Sequence, residues 1–351
     1  IRDPLWSRGL GDVYKRQVIS TFSVGHDHID TKFAKEKKIR VGYTPEVLTD
    51  ATADMAFALL IDSLRRISEG DRIIRKRKWR QIYGAYDYVG LDLQGKTLGI
   101  IGLGRIGKTL AKRAKAFDMK IIYHNRKQIS KTEEKKLGVK YTTFDKLITQ
   151  SDIISIHVPH TKETNQMFDM KIFKKMKKTS FLINTSRGKV VNEKDLAMAL
   201  KQKIIAGAGL DVWEFEPPPS THKLLELENV IASPHTAGIT KDSRDKMSEY
   251  VATQLLDLFD GKDPARPVNP EVLEIFFEND NRSNIIANPN CTTIQMVVAL
   301  KALEGLMNPK RTLNAAGGRI GMGFGGQLGK GIMQAVRQAQ KGFKPFGEKQ
   351  T

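Results

Sequence analysis

Between Thr97 and Ala232 the chain alternates short, almost wholly apolar runs with longer stretches in which apolar residues recur at helical spacing. The runs Thr97–Ile101, Lys120–Tyr123, Ile153–His157, Phe181–Asn184, Ile205–Leu210 and Val230–Ala232 carry too few polar positions for half-solvated strands, so both faces must be covered. Helical spacing fits Ile106–Phe117, Phe144–Thr149, Glu193–Gln202 and, beyond the last strand, Asp242–Phe259. Strand and helix taken in turn predict an α/β fold, a doubly wound parallel sheet flanked by helices. Two elements precede it. Val18–Phe22 reads as a buried strand, and Thr49–Glu69 as one long helix whose Met55, Phe57, Ala58, Leu59, Leu60 and Ile61 cover more than one face. Such a helix is expected to be buried on two sides, at a contact between two copies of the chain in a homodimer.

Composition narrows the class. With 351 residues, 40% of them hydrophobic, the chain has material for two ordinary domains. No stretch approaches the roughly 18 apolar residues of a membrane span, so no membrane partner is expected. The single cysteine, Cys291, cannot form an internal disulfide, and no basic-then-apolar leader suggests export, which makes the cytoplasm the expected compartment. A net charge of +19 raises the question of nucleic acid. The lysines, among them Lys35, Lys37, Lys131, Lys135, Lys174 and Lys175, sit beside acidic or apolar neighbours at helical spacing. They predict solvated helix faces, and without a zinc-finger, RNA-sheet or basic-zipper pattern no nucleic-acid partner is expected.

The first candidate chemistry is GLGRIG at 102–107, between the strand Thr97–Ile101 and the helix that follows. In that context Gly102 serves the tight turn, Gly104 lets the backbone approach a pyrophosphate, and Gly107 lets helix and strand pack closely. The helix start then faces a doubly negative group, so a Rossmann-type dinucleotide site is predicted. At the end of the next strand, where an NAD site commonly carries Asp or Glu for the ribose hydroxyls, stand Asn125, Arg126 and Lys127. A guanidinium matches a 2′-phosphate and the neutral Asn125 does not repel it, so NADP(H) is favoured and NAD(H) remains possible.

Three further polar segments follow strands: NTSRG at 184–188, DVWEFEP at 211–217 and SPHTAG at 233–238. Open α/β sheets place ligands at such strand ends. A histidine there can exchange the proton that accompanies hydride transfer, a carboxylate beside it favours its charged form, and an arginine can clamp the carboxylate of a small 2-oxo acid or polarise its carbonyl. No metal is called for.

Together with SVGHDHID at 23–30, TPEVLTDATADMAFALL at 44–60, GKTLGIIGLGRIG at 95–107, HVPHTKET at 157–164, NTSRGKVVNE at 184–193 and GAGLDVWEFEP at 207–217, these segments resemble the D-isomer-specific 2-hydroxyacid dehydrogenase family, and within it the glyoxylate/hydroxypyruvate reductases. The resemblance runs from about Val18 to Leu273. It implies Arg187 as the substrate-binding and polarising group, Glu216 as the carboxylate partner of the histidine, and His235 as general acid/base. Val24 and Gly25 would offer backbone N–H groups to the substrate carboxylate. Thr52, Arg105, Ile106, Pro159, Thr161, Thr185 and Asp211 would contact the cofactor, Asp211 at the nicotinamide amide, with His235 and Gly238 alongside. The implied organisation is a partial, N-terminally truncated, flavodoxin-like substrate domain with the dimer helix over 18–92, the dinucleotide domain over 93–238, and a helix over 239–273 that returns to the substrate domain. A binding protein that senses dinucleotide, like the family's corepressor relatives, would share the fold; turnover separates the two.

The ends depart from that pattern. DVYKRQ at 12–17 resembles a translated sequencing adapter, which marks 1–17 as a non-native leader. The segment Asn284–Lys301 resembles the nucleophile region of aspartate-semialdehyde dehydrogenase, in which Cys291 would be acylated. No matching histidine region follows, so a stray or buried thiol on a foreign segment is the reading for 274–351.

Overall fold

The computed structural model describes residues 18–26, 29–259, 267–272, 285–288, 290–291, 294–295 and 298–299. The chain forms two compact units, Leu48–Ile239 and the remainder. The leader 1–17 and most of 274–351 lie outside the described residues, as does the side chain of Cys291.

The smaller unit contains β1 (Val18–Thr21), α1 (Thr31–Glu36) and β2 (Arg40–Gly42). Asp30 caps α1 by accepting from Phe33 N, and Ile19, Ile29, Ala34, Ile39 and Val41 form its core. A helix from the far end of the chain, α9 (Lys241–Phe259), belongs to this unit: Gln254 accepts from Ser20 Oγ (2.9 Å) and donates to Tyr43 O (3.0 Å). Within the expected foreign tail, four short strands are described: β10 (Ile285–Asn288), β11 (Asn290–Cys291), β12 (Ile294–Gln295) and β13 (Val298–Ala299). Of these, β10 pairs in parallel with β1, Val18 opposite Ile285, and antiparallel with β13.

The larger unit opens with α2 (Thr49–Arg65) and α3 (Ile67–Arg75). It then runs β3 (Thr97–Ile101), α4 (Arg105–Lys115), β4 (Lys120–His124), α5 (Lys131–Leu137), β5 (Val139–Tyr141), α6 (Phe144–Gln150), β6 (Ile153–Ile156), α7 (Met170–Lys175), β7 (Phe181–Asn184), α8 (Glu193–Lys201), β8 (Gly207–Leu210) and β9 (Val230–Ala232). Seven strands form one sheet in the order β5-β4-β3-β6-β7-β8-β9, every pairing parallel. Strand alternation divides the core. Leu98 and Ile100 of β3 face one layer, with Leu60 and Leu64 of α2 and Leu110 and Ala114 of α4. Ile101 of β3 and Ile154 and Ile156 of β6 face the other, with Leu147 of α6, Phe173 of α7 and Leu196 of α8. Each such Leu, Ile or Phe side chain, taken wholly out of water, stabilises the fold by roughly 1.5–3 kcal/mol. The doubly wound sheet is therefore as predicted.

The long helix expected over 49–69 is not continuous. Arg66 sits at φ +57, and α3 begins after it. The break is held by side chains: Asp62 accepts from Ser68 N (2.7 Å), Arg66 pairs with Glu69 (2.6 Å), and the Arg66 guanidinium lies 4.2 Å over the Tyr88 ring. Ala53, Ala56, Phe57, Leu59, Leu60 and Leu64 of α2 are buried within this unit, where α2 packs on α4, β7 and β8, while Met55 and Ile61 are half-buried and Ala58 is exposed. Residues 49–65 fall in the same compact unit as the seven-stranded sheet. In contrast, α3 buries no residue, and Ile67, Ile74, Trp79, Ile82, Tyr86 and Val89 on α3 and the arm after it are exposed.

Candidate active site

Segments singled out in the sequence lie at the C-terminal ends of sheet strands. The glycine loop follows β3, Asn125 to Lys127 follow β4, Pro159 and Thr161 follow β6, Thr185 and Arg187 follow β7, Asp211 and Glu216 follow β8, and His235 and Gly238 follow β9. Because these strands are neighbours and all parallel, their outgoing loops gather at one end of the sheet. Thr52 is buried in the first turn of α2. Val24 and Gly25 lie in the smaller unit, just past β1, with Ser23 Oγ donating to Gly25 O.

The glycine loop is shaped by close approach. Gly102 has φ +94, and a Cβ there would lie 2.7 Å from His157 O, so no other residue makes this turn without strain. A Cβ on Gly107 would meet Gly102 O at 2.6 Å. Gly104 caps α4 in an extended conformation without a side-chain cap bond, and nothing lies within 4 Å of its notional Cβ. The start of α4 thus presents its N–H groups and positive dipole end to open space, an arrangement that suits an anion. Asn125 Oδ1 accepts from Leu103 N (2.6 Å) and braces the loop, while Arg126 and Lys127 are exposed beside it. At the end of β7, Thr185 Oγ1 is buried without a hydrogen-bond partner, a hydroxyl that the polar edge of a bound group would satisfy. The residues present fit a dinucleotide.

The next groups form a carboxylate–imidazole pair. His235 Nδ1 lies 2.7 Å from Glu216 Oε2, and Glu216 Oε1 accepts from Trp213 N (3.0 Å). With Nδ1–H donating to the carboxylate, Nε2 is the nitrogen able to give up and recover a proton. Burial opposes ionisation of Glu216. The hydrogen bonds from His235 and Trp213 N–H, together with the charges of His235 and Arg187, outweigh it and hold the carboxyl below its ordinary value. His235 itself is left-handed, φ +54. Its loop is pinned by fully buried Asp211, which accepts from Thr236 N (2.8 Å) and Ala237 N (2.9 Å). The resemblance puts Asp211 at the nicotinamide amide; in the structure each of its oxygens binds the histidine loop.

Two positions with no role in the sequence reading shape these loops. Asn184, the last residue of β7, accepts from Ser186 N (3.0 Å) and donates to Arg187 O (3.0 Å), which curls the chain so that Arg187 follows directly. An asparagine ending an otherwise apolar strand was the available signal. Trp213 is buried, and its indole N–H donates to Ser233 O (3.1 Å), tying the Glu216 loop to the approach to His235. His157, in HVPHT, is half-buried against Ser155 Oγ (2.8 Å), and desolvation of its ring pushes the imidazole down to about 4, so it is a neutral packing group near pH 7. Among the described residues no group of three or more His, Cys, Asp or Glu is placed to hold a metal ion, and no helix is long and apolar enough to cross a membrane.

Comparison with known proteins agrees with this geometry. Residues 57–237 match the family described as D-isomer specific 2-hydroxyacid dehydrogenase, NAD binding domain. The glyoxylate reductase of Korarchaeum cryptofilum is 44% identical over 276 residues, 78% of this chain and 82% of that protein. That of Thermococcus litoralis is 47% identical over 267 residues, 75% and 80% of the two chains. Among solved structures, a glyoxylate reductase from Paecilomyes thermophila superposes with a TM-score of 0.67 at 34% identity, covering 73% of this chain and 76% of that one. An NADPH-dependent glyoxylate/hydroxypyruvate reductase from Sinorhizobium meliloti, in complex with NADP and malonate, gives 0.66 at 35% identity, covering 72% and 77%. On sequence, fold and the matched domain alike, the chain belongs to the D-isomer-specific 2-hydroxyacid dehydrogenase family.

Proposed function

We propose that the protein reduces a small 2-oxo acid, glyoxylate or hydroxypyruvate, to the D-2-hydroxy acid, with NADPH preferred over NADH. The observation that carries this reading is the 2.7 Å Glu216–His235 pair, one strand away from the Arg187 loop and in the same unit as the glycine loop. A nicotinamide dinucleotide held by the start of α4, Thr185 and the Asn125–Lys127 segment would supply the hydride. Arg187 binds the substrate carboxylate or carbonyl, and His235 Nε2 gives its proton to the developing alkoxide while Glu216 steadies the imidazolium. The test is glyoxylate-dependent oxidation of NADPH by the purified chain; dinucleotide binding without turnover would favour a sensing role instead.

The cofactor preference rests on exposed Arg126 and Lys127 next to a neutral Asn125. In an Asn125→Asp, Arg126→Ala double variant the ratio of kcat/KM for NADPH to that for NADH is expected to fall about tenfold or more, since one strong phosphate contact is lost and a repelling carboxylate gained. Equal kcat/KM for the two cofactors in the parent protein would remove the basis for this preference.

The homodimer is proposed through α3 and the arm that follows it instead of through α2. Trp79, Tyr83 and Tyr88 stack in series at 6.4 and 5.4 Å, which organises an apolar surface before any partner arrives. Such a patch beside charges of both signs, Asp71 and Arg75 among them, suits a self-complementary contact. The parent chain is expected to sediment as a dimer and an Ile82→Asp, Tyr86→Asp variant as a monomer. A monomeric parent would sink the proposal.

A further inference from the structure

Besides the His235–Glu216 pair, the larger unit holds a second carboxylate–imidazole pair that the chemistry above does not use. Glu193 is the first residue of α8 and only 5% exposed. Its Oε2 lies 2.9 Å from His222 Nε2, and its Oε1 accepts from Glu214 N at 2.7 Å. Burial pushes the Glu193 carboxyl above its ordinary value, against the Glu214 N–H and His222, which favour the ion. An acidic residue in the first turn of a helix suits the dipole wherever it is exposed, so the dipole alone does not explain one that is buried with both oxygens engaged.

What Glu193 holds is the peptide between Trp213 and Glu214. Trp213 N–H donates to Glu216 Oε1, and the Glu214 N–H donates to Glu193. The same peptide is seated on Gly188, next to Arg187: a Cβ there would lie 1.9 Å from Trp213 C and 2.3 Å from Glu214 N. The Trp213 indole reaches Ser233 O, two residues before His235, and its ring meets the His222 ring edge-on at 5.8 Å. The loops that carry Arg187, Glu216 and His235 therefore converge on Trp213, and Glu193 anchors the peptide that follows it. We infer that Glu193, backed by His222, is a positioning residue that fixes the Trp213–Glu216 loop and, through it, the bond between Glu216 and His235. The inference rests on the reductase reading for its kinetic readout.

Glu193→Ala and Glu193→Gln in the full chain test it. Glutamine keeps an oxygen for the Glu214 N–H; alanine keeps neither contact. Misplacing a catalytic group by about 1 Å can cost roughly 100-fold, so Glu193→Ala is expected to lower kcat for glyoxylate about tenfold or more, with KM and the NADPH Kd within about twofold, and Glu193→Gln to recover most of the loss. The second readout needs no turnover. The downfield Nδ1–H proton resonance of His235, assigned by its disappearance in His235→Asn, is expected in the parent and in Glu193→Gln and to be broadened or lost in Glu193→Ala. A folded Glu193→Ala protein with parental kcat and that resonance intact overturns the inference. If Glu193→Ala does not fold, His222→Asn, which spares the bond to Glu214, carries the comparison: a smaller fall in kcat with a weakened resonance supports the role, and no change in either overturns it. A parent chain without reductase activity would defeat the functional reading, and the resonance would still decide this one.

Discussion

His235→Ala is expected to lower kcat for glyoxylate reduction by about 10²–10⁴ while dinucleotide affinity stays within a few-fold, the usual size of a lost general acid. Alanine at this position also meets a backbone strain, because residue 235 sits at φ +54. Asparagine tolerates that region far better, so His235→Asn separates chemistry from strain: both variants should lose turnover, and alanine alone should lose stability as well. Arg187→Ala should fall in the same range through loss of the substrate clamp. Steady-state kinetics with a thermal melt on each protein decide the matter, and near-parental turnover by His235→Asn would sink the assignment. The partner carboxylate adds a pH signature. Glu216 is held ionised at its 2.7 Å contact, and removing that charge in Glu216→Gln destabilises the protonated imidazole facing it. The alkaline fall in reductase rate should therefore move to lower pH, and an unchanged profile would count against the pairing.

Acid is expected to destabilise the protein through His157. In the folded chain its imidazole titrates near 4, against 6.5 when unfolded, because burial disfavours the charged ring. Between those values the unfolded chain binds more protons, so this contribution is fully present above about pH 6.5, declines as the pH falls and is lost below about 4. A gap of that size corresponds to about 3 kcal/mol. Chemical denaturation at pH 7 and at pH 4.5 should show a smaller drop in His157→Asn than in the parent. Equal drops in the two proteins would show that His157 is not the group responsible.

Much of this site was legible in the sequence, and the reason is local. A glycine loop between strand and helix is specified by residues within one turn of one another, and β3, β6 and β7 announce themselves as apolar runs because both faces are covered. What escaped was set by tertiary contact. The break at Arg66 depends on Asp62 reaching Ser68 and on Tyr88 under the guanidinium, so the uninterrupted apolar spacing of 49–69 gave no sign of it. The edge strand β5 is three residues long with Lys140 exposed, and α5, KTEEKKL, has no apolar stripe to read. The Glu193–His222 pair joins a helix start to a proline-rich loop, and no spacing rule connects them.

The strand order has a consequence in time. All six pairings in the large sheet are parallel, so no hairpin can nucleate it, and each strand must wait for a crossover. The chain first winds outward from β3 through β4 to β5, and only afterwards returns to lay β6, β7, β8 and β9 on the other side. During synthesis the half that carries the glycine loop and Asn125 to Lys127 is complete before Arg187 exists, and His235 emerges last of the groups assigned to chemistry. The nascent protein thus acquires its anion-binding helix start well before it acquires anything able to move a proton.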